Sequence, residues 1–257
     1  MVTTRMSVMR FYDNYLNDGS YSQNPHKDED RQYRDYLIRN FRRFLPEDKA
    51  VEILEIGVGD GRALRALREL GYGRSLGIDI ARELVEKVKV QGLACEYVEN
   101  TVAYLREHKD TYSFIFLSHV IEHIAKEEIE NFISGIQEAL VEGGYVAMVT
   151  PSVQNIFYVG PFYDFTHVNF FTERSLHQVC EAGGFTTISV RAEKMPLNTY
   201  GRGMFSFFRY LIGDMIIRIS RIVINALLRL IRASIGALNP KVLSLNLVCI
   251  CRKQDKK

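Results

Sequence analysis

The stretch from Asp164 to Thr172 combines a histidine with polar side chains and aromatic rings. Imidazole titrates near neutral pH, so His167 can accept a proton from a substrate hydroxyl. Asp164 and Asn169 can orient that substrate by hydrogen bonds, and the aromatic rings can form an apolar wall around it. We therefore predict that His167 is a general base in a substrate pocket. The alternative is a loop whose Asp and Thr residues cap secondary structure while its aromatic residues fill the core.

A second histidine-containing stretch, Ser118 to His123, allows two interpretations. His123 can act as the base in place of His167. If the stretch opens a helix, three residues at positions i, i+3 and i+4 share one face and could bind a divalent metal: His119, Glu122 and His123. We favour a structural role for Glu122 and His123, so the predicted metal content is none.

The apolar run 51–56 leads into a turn with three glycines at alternate positions: Gly57, Gly59 and Gly61. Glycine permits a tight turn and lets the backbone approach a ligand closely. Arg62 stands where a dinucleotide-binding loop would carry Gly or Ala, which argues against a pyrophosphate at this position. Asp79 ends the next strand, where a carboxylate can accept hydrogen bonds from two ribose hydroxyls. These residues predict a cofactor site, although a glycine turn that binds nothing is the alternative.

Hydrophobic periodicity places these motifs on alternating strands and helices. The predicted helices are 28–44, 62–70, 81–90, 101–108, 126–141 and 173–182, and the predicted strands are 51–56, 75–80, 94–98, 112–117, 145–149, 185–192 and 244–251. Such alternation indicates an α/β fold with a mostly parallel sheet and helices on both faces. The last two strands lack an ordinary crossover and suit an antiparallel hairpin at the sheet edge.

The composition is that of an ordinary globular protein, with 47% hydrophobic and 25% charged residues among 257. This balance disfavours disordered, collagenous and polytopic membrane proteins. The net charge of +2 is too small for a nucleic-acid-binding protein that works by a global positive field. The four cysteines have no Cys-x-x-Cys spacing and the first residues contain no apolar signal segment. We therefore expect a cytoplasmic protein in a reducing environment.

Positive charge is concentrated in residues 201–238, which hold six arginines and one acidic residue, a balance of +5. On a helix from Met204 to Ser234, arginines form one polar stripe on an otherwise apolar surface. They also interrupt every window long enough to span a membrane. We expect this amphipathic insertion between the last two strands to bind an anionic membrane surface. The alternatives are a homodimer contact and packing on its own domain.

Residues 1–50 are expected to form an N-terminal helical extension of the domain 51–257. Four aromatic residues lie near its start: Phe11, Tyr12, Tyr15 and Tyr21. They could form a lid over the acceptor, with Tyr21 binding it. A helix that packs its tyrosines on the sheet would explain the same residues, so both alternatives stay open.

The glycine loop and Asp79 resemble the class I S-adenosylmethionine-dependent methyltransferases, and the resemblance covers about residues 50–195 and 242–252. The family motif for the cofactor matches Glu55, Gly57, Gly59, Gly61 and Asp79, with Ile80 beside them. The resemblance implies S-adenosylmethionine as the cofactor and a Rossmann-like, seven-stranded sheet with an antiparallel edge hairpin. It also implies that Asn100 and Thr101 face the adenine, and that Ser118 and His119 lie beside the methionine part.

The run Asp164-Phe165-Thr166-His167, followed by Phe-Thr and a helix, resembles a branch of this family that is frequent in bacterial surface-polysaccharide gene clusters. It implies an O-methyltransferase that acts on a sugar hydroxyl of a lipid-linked or cell-surface glycan at the cytoplasmic membrane face. The alternatives are an O-methyltransferase of small molecules or quinone precursors, and a non-catalytic cofactor-binding scaffold. An RNA methylase is disfavoured because no Asn-Pro-Pro-Tyr-like motif follows the fourth strand.

Overall fold

The computed structural model describes residues 27–154, 160–194 and 245–255, together with residues 215, 219, 220, 222–224, 226 and 227. Within these ranges the helices are α1 (Lys27–Phe41), α2 (Arg62–Glu69), α3 (Arg82–Val90), α4 (Thr101–Glu107), α5 (Ile129–Ala139) and α6 (Glu173–Ala182). The strands are β1 (Ile53–Ile56), β2 (Ser75–Asp79), β3 (Cys95–Tyr97), β4 (Tyr112–Ser118), β5 (Leu140–Pro151), β6 (Thr187–Ala192) and β7 (Asn246–Arg252). Short 3₁₀ turns occur at Ile121–His123 and Gly160–Phe162.

The strands form one sheet in the order β3-β2-β1-β4-β5-β7-β6. Strands β1 to β5 pair in parallel, whereas β7 runs antiparallel to both β5 and β6. The strand order reverses between β1 and β4, and ligands of open α/β sheets bind outside the carboxyl ends of strands at such a point. The structure thus confirms the predicted mostly parallel sheet with an antiparallel hairpin at its edge.

Strand β1 is buried on both faces, and three of its four residues are apolar. Leu54 lies on one face in the same core cluster as Phe132 of α5, the largest of three clusters. Ile53 packs on the other face with Phe41, at the end of α1. The ring of Phe41 lies 5.5 Å from that of Phe116 in β4. Helix α1 is therefore packed directly on the sheet.

The structure corrects the predicted start of the fifth strand. The strand was expected at residues 145–149, after a helix through residue 141, but α5 ends at Ala139 and β5 begins at Leu140. Leu140 pairs with Tyr112, and the register then shifts before Tyr145 pairs with Phe114. Gly143, with φ +72°, lies inside this irregularity. Gly143 and Gly144 therefore lie within a bulged strand, where glycine tolerates the irregular backbone.

The hairpin of β6 and β7 is closed by a side chain. The Glu193 carboxylate accepts hydrogen bonds from the backbone N–H (3.1 Å) and the side-chain amide (3.0 Å) of Asn246. Most of the predicted insertion 201–238 lies outside the described residues. Its eight described residues are helical, and five apolar ones among them are more than half exposed: Met215, Ile219, Ile222, Val223 and Leu227. Among the described residues, the helices are too short or too polar to cross a bilayer.

Candidate active site

The glycine turn leaves β1 at the point where the strand order reverses. All three glycines have left-handed φ angles, of +78° at Gly57, +51° at Gly59 and +80° at Gly61. A Cβ atom at Gly57 would lie 2.4 Å from Cγ2 of Val120. Gly57 is therefore required both for its backbone conformation and for its close approach to the segment that follows β4.

Glu55 lies directly before this turn, with 4% of its surface exposed. Its Oε2 atom is buried and has no hydrogen-bond partner among the described residues. Burial and the negative charges of Asp60 and Asp79 raise the pKa of Glu55 well above its ordinary value. A buried, unsatisfied acceptor at a ligand crevice leaves a hydrogen-bonding position open to a bound molecule.

Asp79 ends β2 beside the glycine turn. Its Oδ1 atom accepts a hydrogen bond from the backbone N–H of Ala81, at 2.8 Å. Burial raises the pKa of Asp79, although the backbone amides of Ala81, Gly59 and Val58 oppose this by stabilising the charged form. The carboxylate thus faces the glycine loop, as a ribose-binding acid must, and the half-buried Ile80 follows it.

Asn100 and Thr101 follow β3 at the same edge of the sheet. The Asn100 side chain accepts a hydrogen bond from the backbone N–H of Ala103 (3.1 Å) and caps α4. This cap is a structural role that the sequence analysis did not assign. Asn100 is exposed and Thr101 is half-buried. Their contact with adenine stays a prediction.

Sequence analysis missed Tyr33, a residue of α1 that reaches the cofactor side of the sheet. Burial and the charge of Glu55 raise the pKa of Tyr33, and the nearby Ser118 at the end of β4 opposes this. The guanidinium carbon of Arg62 lies 5.9 Å from the centre of the Tyr33 ring. The available signal was the helical spacing of aromatic residues in α1, which does not reveal that this ring lies near Arg62, the residue after the glycine turn.

His119 follows β4 in a left-handed conformation, with φ +57°, which is unusual for a residue other than glycine. Its Nδ1 atom lies 3.1 Å from Oε1 of Glu122, and its side chain is 44% exposed. Burial would lower the pKa of His119, but the hydrogen bond and charge of Glu122 outweigh it, so the pKa is raised. Strained backbone of this kind is concentrated at functional sites.

Glu122 lies beneath His119, with 1% of its surface exposed. Its second oxygen accepts a hydrogen bond from the Thr150 hydroxyl, at 3.0 Å. Burial would raise the pKa of Glu122, but the hydrogen bond from His119 and the charges of His119 and His123 lower it overall. Both oxygens of this carboxylate are therefore satisfied within the protein.

The structure brings His123 and His167 together, with ring centres 4.7 Å apart. Asp164 accepts a hydrogen bond from the Thr166 hydroxyl (2.7 Å), which in turn lies 2.8 Å from Nδ1 of His123. Nδ1 of His167 lies 2.8 Å from the carbonyl oxygen of Pro161. Because both partners of the imidazoles act as acceptors, each Nδ1 carries the proton and each Nε2 carries a lone pair.

Burial and the neighbouring His167 lower the pKa of His123, although Glu122 and Asp164 oppose this. A neutral imidazole at this position can accept a proton. Asp164 and Asn169, predicted to bind substrate, make hydrogen bonds within the protein: Asp164 to Thr166, and the Asn169 amide to the Ile124 carbonyl. Their substrate contacts stay predictions, and Tyr21 lies outside the described residues.

The structure groups the candidate metal ligands differently from the sequence. Only residues 121–123 form a 3₁₀ turn, so the helical face shared by His119, Glu122 and His123 does not form. Instead, one potential ligand atom each from Glu122, His123 and His167 lies within 4.8 Å of the others. His167, 44 positions along the chain from His123, was not considered as a ligand because the spacing rule covers only local residues.

Comparisons with known proteins decide the family. A family model described as a methyltransferase domain matches residues 28–190, more than half of the chain. The chain belongs to this methyltransferase family. It is therefore an enzyme, as the sequence predicted. A search of curated proteins finds no match to this methyltransferase.

Solved structures share its fold. A S-adenosylmethionine-dependent methyltransferase from Archaeoglobus fulgidus has a TM-score of 0.60 and 19% identity, covering 87% of this chain and 94% of its own. The Haloferax volcanii complex between the Trm112 methyltransferase activator and a methyltransferase has a TM-score of 0.63 and 14% identity, and the match covers 95% of this chain and 98% of that chain. Phosphoethanolamine N-methyltransferase 2 of Haemonchus contortus, solved with S-adenosyl-L-methionine, has a TM-score of 0.56 and 17% identity, and the match covers 95% of this chain and 60% of that chain. These identities are low, so the likeness shows the fold.

The cofactor of this methyltransferase is S-adenosylmethionine, as predicted. The residues at the sheet edge fit it. The glycine turn has no Cβ atoms that would block a ligand, the Asp79 carboxylate can accept hydrogen bonds from ribose hydroxyls, and the unsatisfied Oε2 of Glu55 can accept one from an ammonium group.

Proposed function

We propose that this methyltransferase is an O-methyltransferase that acts on a sugar hydroxyl of a lipid-linked or cell-surface glycan. The hydrogen-bonded chain from Asp164 through Thr166 to His123, with His167 beside it, carries the proposal. A hydroxyl acceptor must lose its proton as the new O–C bond forms, so it requires a base near neutral pH. The oriented imidazoles supply that base.

Bound S-adenosylmethionine supplies a methyl group on a positively charged sulfur. Glu55 and Asp79 bind and orient the cofactor, which lowers the entropy cost of aligning methyl and acceptor. Nε2 of His123 or His167 would take the proton of the acceptor hydroxyl, and Glu55 and Asp79 would hold the cofactor that supplies the methyl group to that oxygen. Asp164, acting through Thr166, holds the ring of His123 in the tautomer that keeps the lone pair on Nε2.

Substitution of the histidines tests this mechanism. His167→Ala should lower turnover by ~10² to 10⁴ with unchanged affinity for S-adenosylmethionine, because a positioned base contributes a factor of this size. His123→Ala should show the same effect if both rings serve as bases, and Thr166→Val a smaller one. His177→Ala is a matched control, since that histidine lies on the surface of α6 and pairs with Glu181. A loss below about threefold in both active-site variants would remove the base role.

The acceptor is supported by the polar and aromatic character of the run 164–171 and by its resemblance to polysaccharide-associated methyltransferases. Labelled S-adenosylmethionine should transfer methyl groups to a glycan fraction of bacterial envelope extract, and His167→Ala should abolish this transfer. If the label enters only phenolic quinone precursors, the acceptor is a small molecule and not a glycan. Cofactor binding with no turnover on any fraction would favour a scaffold.

We further propose that the insertion 201–238 holds the enzyme at the cytoplasmic membrane face. Its +5 balance and the exposed apolar side chains at residues 219, 222, 223 and 227 support this. The protein should sediment with anionic vesicles more than with neutral ones, and high salt should release part of it. Changing four arginines outside the described residues to Glu should abolish sedimentation: Arg218, Arg221, Arg229 and Arg232. The alternative is an oligomer contact. It would be identified if the protein does not bind vesicles but forms a dimer that dissociates when Ile217, Leu227 and Leu228 become polar.

A further inference from the structure

The loop from residue 162 to residue 170 has its polar side chains turned inward and its large apolar side chains turned outward, whereas the flanking Pro161 and Phe171 are buried. Five large apolar residues are 45–86% exposed: Phe162, Tyr163, Phe165, Val168 and Phe170. Between them, Thr166 is buried, and Asp164, His167 and Asn169 are half-buried. A surface loop ordinarily shows the opposite arrangement, and clustered exposed apolar residues mark an interaction site.

This arrangement is fixed by hydrogen bonds. Asp164 accepts from the backbone N–H of Thr166 (2.8 Å) as well as from its hydroxyl. The backbone N–H groups of Val168 and Asn169 both donate to the carbonyl oxygen of Glu122, at 2.9 and 3.0 Å. With the polar residues held inward, the alternate positions must face out. The apolar surface is therefore a consequence of the same bonds that orient the histidine pair.

We infer that this loop inserts into the headgroup region of a lipid bilayer, so that the active site opens toward the membrane. The inference rests on the proposed function, because it requires an acceptor that is carried by a lipid. The outward side chains carry no formal charge, and Phe and Tyr rings are favoured at the level of the headgroups. The loop also carries His167, and a bilayer bearing the acceptor leaves that residue within reach of a hydroxyl, whereas a protein covering the loop would not.

The second surface is independent of this loop. The described helical residues of the segment 201–238 also expose apolar side chains, and that segment has the +5 balance. Positive charge complements anionic headgroups, whereas the uncharged loop suits the more apolar layer beneath them. A membrane thus accounts for both surfaces with one partner.

The chain contains no tryptophan, so one introduced indole reports on its own position. In Tyr163→Trp, fluorescence should shift to the blue with vesicles of phosphatidylcholine and phosphatidylglycerol, and brominated lipids should quench it. Val90→Trp is the control, since Val90 is 88% exposed at the end of α3, away from this loop. Its fluorescence should keep the emission of an indole in water.

A loss-of-binding variant gives a second measurement. Tyr163→Ser with Val168→Ser should weaken vesicle partitioning by about tenfold or more, because both side chains lose apolar area that the bilayer would bury. Val90→Ser should partition like wild type. Calorimetry of S-adenosylmethionine binding to the double variant, with affinity as in wild type, verifies that the fold is intact.

Several outcomes overturn the inference. An indole at position 163 that ignores vesicles would do so, as would one that is blue-shifted without lipid. In the latter case, dependence on protein concentration would identify a second copy as the occupant, and independence would identify a segment of the same chain. If the enzyme methylates glycan but the indole at position 163 stays in water when vesicles are added, this inference alone is overturned. If brominated lipid quenches the indole but no glycan is methylated, only the proposed acceptor is overturned.

Discussion

Two buried glutamates at the same edge of the sheet differ in how their oxygens are satisfied. Glu122, on the acceptor side, has a hydrogen-bond partner for each oxygen, whereas Oε2 of Glu55, on the cofactor side, has none among the described residues. Their pKa values move in opposite directions, up for Glu55 and down for Glu122. The difference assigns Glu122 a role within the protein fold and supports our proposal that the cofactor supplies the missing partner of Glu55.

The largest expected effect tests the structural half of this comparison. Glu122→Ala should lower the free energy of unfolding by about 3 kcal/mol, because it leaves the buried Thr150 hydroxyl without its charged acceptor. Urea unfolding followed by circular dichroism measures this. Glu55→Ala, the same substitution on the cofactor side, should cost far less. Equal losses in the two variants would remove the distinction.

The next effect concerns the cofactor side. Asp79→Ala should weaken S-adenosylmethionine binding by about 1–3 kcal/mol, because the ribose hydroxyls lose their acceptor. Calorimetry measures it, and NAD should bind to neither protein. Asp48→Ala is a matched control, since exposed Asp48 accepts from the backbone N–H two residues later just as Asp79 does. Wild-type affinity in Asp79→Ala would remove the assigned ribose contact.

Glu55→Gln should weaken S-adenosylmethionine binding by about 1–2 kcal/mol, because a neutral amide interacts less well with an ammonium group than a carboxylate does. The unfolding free energy of the cofactor-free protein should be unchanged or raised, because the substitution removes a buried charge. A clear loss of stability without cofactor would show that Glu55 is satisfied by the protein after all.

The smallest expected effect is on how the free energy of unfolding depends on pH, which should differ in sign between the two glutamates. The folded state raises the pKa of Glu55. The stability that protonated Glu55 contributes to the fold is therefore present below the ordinary value of 4.5 and is lost as the pH rises through the raised pKa. The folded state lowers the pKa of Glu122, so its contribution is present above 4.5 and is lost as the pH falls through the lowered pKa. Unfolding of wild type, Glu55→Gln and Glu122→Gln from neutral to acid pH measures both slopes. Slopes of the same sign would contradict the comparison.

The cofactor side could be predicted from sequence because its residues are local. Gly57, Gly59 and Gly61 follow one strand, and Asp79 ends the next, so periodicity and spacing place them at one edge. The acceptor side depends on distant pairs. The contact between Thr166 and His123 spans 43 positions, and the approach of Tyr33 to Ser118 depends on how α1 packs on the sheet. Such packing has no periodic signature in the sequence.

Sequence patterns also could not predict which side chains of the loop 162–170 face inward and which face outward. Its alternation of apolar and polar residues was interpreted as a pocket wall around the acceptor, with the rings facing inward. Hydrogen bonds to Glu122 and Pro161 select the opposite orientation. The choice between the two faces of an alternating segment depends on partners elsewhere in the chain.

The closure between Glu193 and Asn246 means that the chain leaves the sheet and re-enters it at neighbouring positions, since Ala192 already pairs with Leu247. The intervening segment is therefore a detachable module in topological terms. It can be replaced by a short turn or exchanged for another segment without unthreading a strand. The length and composition of this connection can therefore change in evolution while the sheet and its chemistry stay as they are.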